Sequence, residues 1–348
     1  MKKFSTFAGV IALGLCLFVI TGCGPSKRVL NLYNWSDYID PDLVKEFEEQ
    51  FDCRVLTDTF DSNEAMYAKL KAGAKGYDLM FPTSYMAEVL FDEGLIQELD
   101  LSQVPNVAHV DKKYLATKAF DKTMRYSVPY MMGTTGIAYL EGKAENVEAT
   151  WDVFSRKDLA GRMTMMNDMR ETLGAALKYL GYSLNTTNES QIRAAGEQVK
   201  KWKANLAKFE NEQYKSGIAS GEFFVVHGYS GDILQVQEDN ENVVYLLPDE
   251  GFAVACDDMV IPKDAEDIDL AYAFINFLHT PEIAARNIEY VYYLCPNSSA
   301  YQLLSDEIKE DPSVFITEEL LDKAEIIRDL GEDNQKYIKV WDDIKSGG

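Results

Sequence analysis

From residue 29 the chain alternates short apolar runs with amphipathic stretches, and this rhythm restricts the fold more than any other feature. The order reads as strand 29–33, helix 41–51, strand 53–60, helix 63–73, strand 77–81 and helix 85–94. Strands regularly separated by helices require crossover connections, and so an α/β lobe with a largely parallel sheet. Asp40 followed by Pro41 marks one helix start, an N-cap with proline at the first helical position. The run 127–140 then carries Pro129 and an interruption at Gly133-Thr134-Thr135-Gly136, which predicts a bend where the chain crosses to a second lobe. A second α/β rhythm follows: strand 162–166, helices 170–180 and 190–205, strand 222–227 and helix 232–237. Strands 243–247 and 252–261, helices 268–278 and 281–290, and a helical tail over 318–345 complete the chain.

The N-terminus sets the compartment. Lys2 and Lys3 precede an apolar run from Phe7 to Ile20 that ends in Ile20-Thr21-Gly22-Cys23. The run is short for a lasting membrane span, and its small-residue site ending in cysteine resembles a bacterial lipobox. Residues 1–22 are therefore expected to be a lipoprotein signal peptide, with Cys23 lipidated and 23–28 a short tether. About 325 residues remain, more than one ordinary domain holds, so two lobes are expected. Cys53, Cys256 and Cys295 are an odd set for an exported domain and imply no disulfide framework. Cys53 and Cys256 read as small buried residues, and a Cys256–Cys295 bridge stays open.

The formal charge of −23 grows two units more negative once Lys2 and Lys3 leave with the leader. Such a field repels nucleic acid and anionic membrane surfaces and draws cations toward the protein. Catalysis finds no assembly of residues. His109, His227 and His279 lack companions at metal-ligand spacing, and Gly228-Tyr229-Ser230-Gly231 misses the Gly-x-Ser-x-Gly spacing. No cofactor, metal site or enzymatic activity is expected.

Aromatic residues and carboxylates recur together at the ends of expected strands: Trp35-Ser36-Asp37-Tyr38, Asp168 to Glu171, Tyr229 to Asp232, and Cys256-Asp257-Asp258. Open α/β sheets place ligand crevices at strand ends. A linear diamine needs a carboxylate at each ammonium and flat apolar walls along its methylenes, and aromatic faces serve both needs. Two readings stand for each such Asp, ligand contact or helix N-cap. Trp151, Trp202 and Trp341, together with Met163, Met165, Met166 and Met169, read as packing residues.

Several longer segments now become specific. Leu32 to Tyr38, Asp61 to Leu70, Tyr77 to Tyr85, Lys178 to Ser183, Phe274 to Leu278 and Tyr293 to Asn297 resemble the spermidine/putrescine-binding proteins of bacterial ABC transporters. The resemblance implies a two-lobed periplasmic-binding-protein fold of type II, each lobe a mixed, mostly parallel sheet flanked by helices, with the ligand cleft between them. Residues 29–133 and 257–301 would form the first lobe, and 134–256 with 302–348 the second. It also implies a polyamine ligand, an ABC permease as partner, a monomer, and a cell-envelope location through the anchor at Cys23.

Carried over by residue, the family pattern makes Trp35, Tyr38, Tyr229 and Tyr293 ring contacts. Asp37, Asp168, Glu171 and Asp257 become acidic contacts, Ser36, Thr83 and Tyr85 complete the site, and Arg170 orients carboxylates. Ala255 stands where many relatives have tryptophan, leaving a wall missing unless a residue such as Phe252 supplies it. Ser230-Gly231-Asp232 is similar to putrescine-preferring members, which favours putrescine, with spermidine as a second ligand. A sensing lipoprotein would carry the same site. Sugar-binding or ferric-binding proteins would instead need Asn, Gln and Arg, or His and paired Tyr.

Overall fold

The computed structural model describes residues 27–117, 120–316, 320 and 322–347. The expected signal peptide, the lipidation site at Cys23 and most of the tether lie outside the described residues. Ten strands are described: β1 (Arg28–Asn34), β2 (Cys53–Thr59), β3 (Leu79–Met80), β4 (Val128–Leu140), β5 (Met163–Met165), β6 (Leu206–Phe209), β7 (Val225–Tyr229), β8 (Val243–Leu246), β9 (Phe252–Met259) and β10 (Ala324–Ile326). Among them run α1 (Pro41–Phe51), α2 (Asn63–Lys71), α3 (Ser84–Asp92), α4 (Lys112–Thr117), α5 (Met169–Tyr179), α6 (Glu189–Lys203), α7 (Gln213–Ser220), α8 (Ser230–Asp239), α9 (Ile268–Leu278), α10 (Pro281–Val291), α11 (Asp306–Glu310) and α12 (Asn334–Ser346).

The first sheet is parallel, in the order β2-β1-β3. Its best-defined helix is α1, where the Asp40 side chain accepts from the Asp42 amide at 2.8 Å and Pro41 fills a position that needs no donor. Buried Leu43 and Phe47 then turn one face of α1 onto a core shared with Leu30, Phe81 and Phe274. The second sheet is mixed, in the order β10-β9-β4-β7-β5-β6 with β8 also paired to β4. Trp151 and Trp202, both fully buried, centre a separate core that Met163, Met165 and Met169 help to fill. Trp341 packs against that core half-buried, and Met166 is also buried.

The β4–β9 pair lies within the second sheet, on the side that meets the first. The first part of β4 runs antiparallel to β9 from Val128↔Met259 to Thr134↔Val254, and its second part pairs with β7 and β8. The end of β9 bridges back to the first sheet through Met80↔Val260 and Thr83↔Asp257.

The structure corrects two expectations. No bend interrupts β4 at Gly133–Gly136; the register irregularity lies earlier, between Pro129 and Met131. These glycines serve close approach: a Cβ on Gly133 would lie 2.6 Å from the Tyr293 ring, and one on Gly136 2.5 Å from the Leu246 carbonyl oxygen. The tail expected to be helical over 318–345 instead supplies β10, parallel to β9, before α12. Cys53, Cys256 and Cys295 are all buried and none is in a disulfide, which settles the Cys256–Cys295 bridge that the sequence left open.

Candidate ligand-binding cleft

Strand ends, β9 itself and the turn after α10 converge on one cleft that is open to solvent. One of its acidic groups is Asp257, carried by β9. One carboxylate oxygen accepts from the Tyr38 hydroxyl and the other from Thr83 Oγ1, each at 2.8 Å. Thr83 is fixed in turn by Asn63, which donates to its hydroxyl at 2.9 Å and accepts from its amide at 3.1 Å. Burial pushes the Asp257 carboxyl up to about 7, against the lowering effect of the Tyr38 and Thr83 hydrogen bonds.

A second acidic group stands at the start of α5. Asp168 caps that helix, accepting from the amides of Arg170 at 2.8 Å and Glu171 at 3.0 Å, and also lines the cleft. Helix cap and site residue are therefore one and the same here. Glu171 accepts from Thr135 Oγ1 at 2.8 Å. Burial first, then the neighbouring Asp168 charge, pushes Glu171 up to about 8. Burial likewise raises Asp168. Glu64 of α2, an acid the sequence did not single out, reaches about 7 through burial and the Asp168 charge. Arg170 corrects one expectation: its guanidinium donates to the Arg328 carbonyl oxygen at 2.8 Å and to Asn185 Oδ1 at 3.0 Å, holding the C-terminal segment rather than a carboxylate.

The third acid is Asp232, in the first turn of α8. It does not cap that helix; Tyr229 holds the N-cap position, and the Asp232 carboxylate accepts from the hydroxyls of Tyr293, at 3.1 Å, and Tyr214. Asp37 is the second correction. Eleven of the twelve expected contact residues line the cleft, and Asp37 is the exception. Its backbone is left-handed, at φ 52°, and its side chain is 68% exposed and paired with Lys215 Nζ at 2.8 Å.

Aromatic rings supply the walls. Trp35 donates from Nε1 to the Phe81 carbonyl oxygen at 2.9 Å and lies 4.3 Å from the Phe60 ring. Tyr38 meets Tyr293 edge-on with ring centroids 5.0 Å apart. The helix-ending turn at Tyr292, at φ 57°, leads directly into Tyr293, whose ring lies over Gly133. Ser36, Tyr85 and Tyr229 line the cleft as expected, as do the unforeseen Phe60, Glu212, Lys215 and Ile327. Ala255 lines it too, opposite Gly133 in the β4–β9 ladder, while Phe252 is buried in the second core and supplies no wall.

A match to the family described as bacterial extracellular solute-binding protein spans residues 42–316. The chain belongs to this family. Among curated relatives of this solute-binding protein, a putrescine-binding periplasmic protein of Pseudomonas aeruginosa (strain UCBPP-PA14) is 35% identical over 340 residues, covering 92% of this chain and 93% of its own. A spermidine/putrescine-binding periplasmic protein of Salmonella typhimurium is 32% identical over 352 residues and covers both chains completely. Among solved structures, a Treponema pallidum lipoprotein is 37% identical with a TM-score of 0.81, covering 91% of this chain and 99% of that one. A spermidine/putrescine ABC transporter substrate-binding protein of Streptococcus pneumoniae is 35% identical with a TM-score of 0.77, covering 91% and 98%. The family member described here is thus an α/β protein of the two-lobed type. A binding protein solved with agropinic acid, at 19% identity and a TM-score of 0.70, shares the fold alone.

Proposed function

We propose that the chain is an extracytoplasmic receptor that binds putrescine, spermidine or both and hands them to an ABC importer. One observation carries the reading: Asp257, Glu171 and Asp232 face a single cleft walled by Trp35, Tyr38, Tyr229 and Tyr293. Burial holds Asp257 and Glu171 near neutrality, so each gains its charge most favourably when a cation arrives to pair with it. Ring faces cover the methylenes between the ammonium groups and attract the ammonium groups themselves, at roughly 0.5–2 kcal/mol per cation–π contact. The relatives named for putrescine and spermidine support the same reading.

In this proposal the first lobe comprises residues 29–133 and 257–301, and the second 134–256 and 302–348. Ligand binds between them and stabilises closure, because only the closed form brings Asp257 together with Glu171 and Asp232. Affinity is then a difference between two states. Asp232 favours putrescine over spermidine. Cys23 carries a lipid that keeps the monomer at a membrane near the permease; the treponemal relative is itself named a lipoprotein. The receptor binds its ligand and does not transform it.

Calorimetric titration of the purified soluble protein with putrescine, spermidine, cadaverine and basic amino acids, at two salt concentrations, tests this directly. Binding of putrescine or spermidine in preference to the amino acids is expected, and the absence of heat with both ends the reading. Mass measurement of the incubated polyamine should find it unchanged.

A further inference from the structure

Among the described residues, Lys215 is the one cation lining the cleft that neither the sequence pattern nor the proposed ligand contacts employ. It stands on α7, lines the cleft, and is only 18% exposed at its side chain. Its ammonium lies 2.8 Å from Asp37 Oδ2 and 4.0 Å from Asp232 Oδ2. Asp37 follows β1 in the first sheet, whereas Asp232 follows β7 in the second. The side chain therefore places a primary ammonium on a four-carbon stem between carboxylates from both halves of the molecule. That is chemically one end of an alkyl diamine, tethered to the protein.

We infer that Lys215 is a specificity-determining residue that competes, as a tethered ammonium held by Asp37, with the ligand's second ammonium for Asp232. The inference rests on the polyamine reading of the cleft. A ligand with one ammonium at Asp257 binds without disturbing Lys215. A ligand with a second ammonium must displace Lys215 or face it, and either course removes much of the advantage of the added charge, since like charges at one site repel. Burial works against the charge on Lys215, but Asp232 and then Asp37 hold its pKa above the ordinary lysine value, so the competitor stays charged throughout the neutral range. The neighbouring α7 segment is tied across the cleft by a second contact, Asn211 Nδ2 donating to the Asp61 carbonyl oxygen at 3.0 Å, which holds the lysine in place.

The test compares putrescine with butylamine, which has the same carbon chain and one ammonium fewer, on the wild-type protein and on Lys215→Met. Methionine keeps an unbranched apolar stem and removes the charge. The butylamine dissociation constant divided by that of putrescine cancels any general loosening of the cleft, because such loosening weakens both amines alike. That ratio should rise by about tenfold or more in the variant, the size expected when a hydrogen bond to a charged group is regained. A ratio that moves by less than about threefold overturns the proposal. Lys215→Gln, which also removes the charge, should raise the ratio in the same direction, and serves alone if methionine disturbs α7. If neither amine binds any of the three proteins, the polyamine reading itself falls and takes this inference with it; binding with an unchanged ratio removes only the role of Lys215.

Discussion

Replacing Asp257 by asparagine removes a charge and little else. The amide oxygen still accepts from Tyr38 or Thr83, so the local packing around the strand end survives. A ligand ammonium brought to this position would then lack its counter-charge in a place with little water, and breaking one partner of a buried pair costs about 3–5 kcal/mol. Two corrections lower that figure. Because the wild-type carboxyl titrates at about 7, ionising it at neutral pH already costs about 0.4 kcal/mol. Asp257 is also only half-buried, with one side open to the cleft, so some solvent reaches the stranded ammonium. The expected loss is about 2–4 kcal/mol, or roughly 30- to 1,000-fold in Kd. Calorimetry of putrescine binding at pH 7 in two buffers of different ionisation enthalpy measures affinity and proton release together. The wild type should release about one proton or more per ligand, and the variant about half a proton less. A variant Kd within about threefold of wild type, or unaltered proton release, would refute the assignment of Asp257 as the charge that meets the ligand.

Four further outcomes are expected. Asp37→Asn should weaken putrescine binding by less than about 1 kcal/mol in the same titration, because this acid is mostly exposed and outside the cleft lining. Trp35→Ala should cost about 2 kcal/mol or more, since it removes a ring face along with the contact to Phe60. Gly133→Ala should displace the Tyr293 ring and weaken binding by about 1–3 kcal/mol, with a lowered melting temperature, because the added carbon would sit 2.6 Å from that ring. The pH dependence has a definite sign. Asp257 and Glu171 have folded-state pKa values raised to about 7 and about 8, so the empty protein holds protons that the unfolded chain releases near pH 4. Their contribution to stability is fully present below that range and fades as pH rises through 7 to 8. Thermal scans from pH 5 to 9 should therefore show the empty protein losing stability while the upward shift given by putrescine grows.

What the sequence revealed, and what it hid, follows from the range of the interactions involved. The bounds of α1 and α9 are legible because Asp40, Pro41 and the periodic apolar faces act within a few residues. The aromatic and acidic residues of the cleft lining are legible because they recur at strand ends, where a sheet opens its crevice. β10 was hidden: Ala324–Ile326 has no strong pattern and becomes a strand only by pairing with the edge of β9. Gly133 was misread as a flexing point because a glycine that relieves crowding and a glycine that bends look alike in one dimension. α7 was missed outright, and with it Lys215, since Gln213–Ser220 is short and weakly periodic and its lysine reaches Asp37 across a separation of 178 positions. Asp37 was misplaced for the matching reason: its neighbours point inward, and only a left-handed backbone turns its own carboxylate out.

Gly133 and Ala255 face each other in the β4–β9 ladder of the second sheet, and both also form part of the cleft lining. In the proposed division into lobes, the surface offered to a ligand and the axle about which the halves would swing are the same few peptide units. A guest lying there would then need no relay to report its presence.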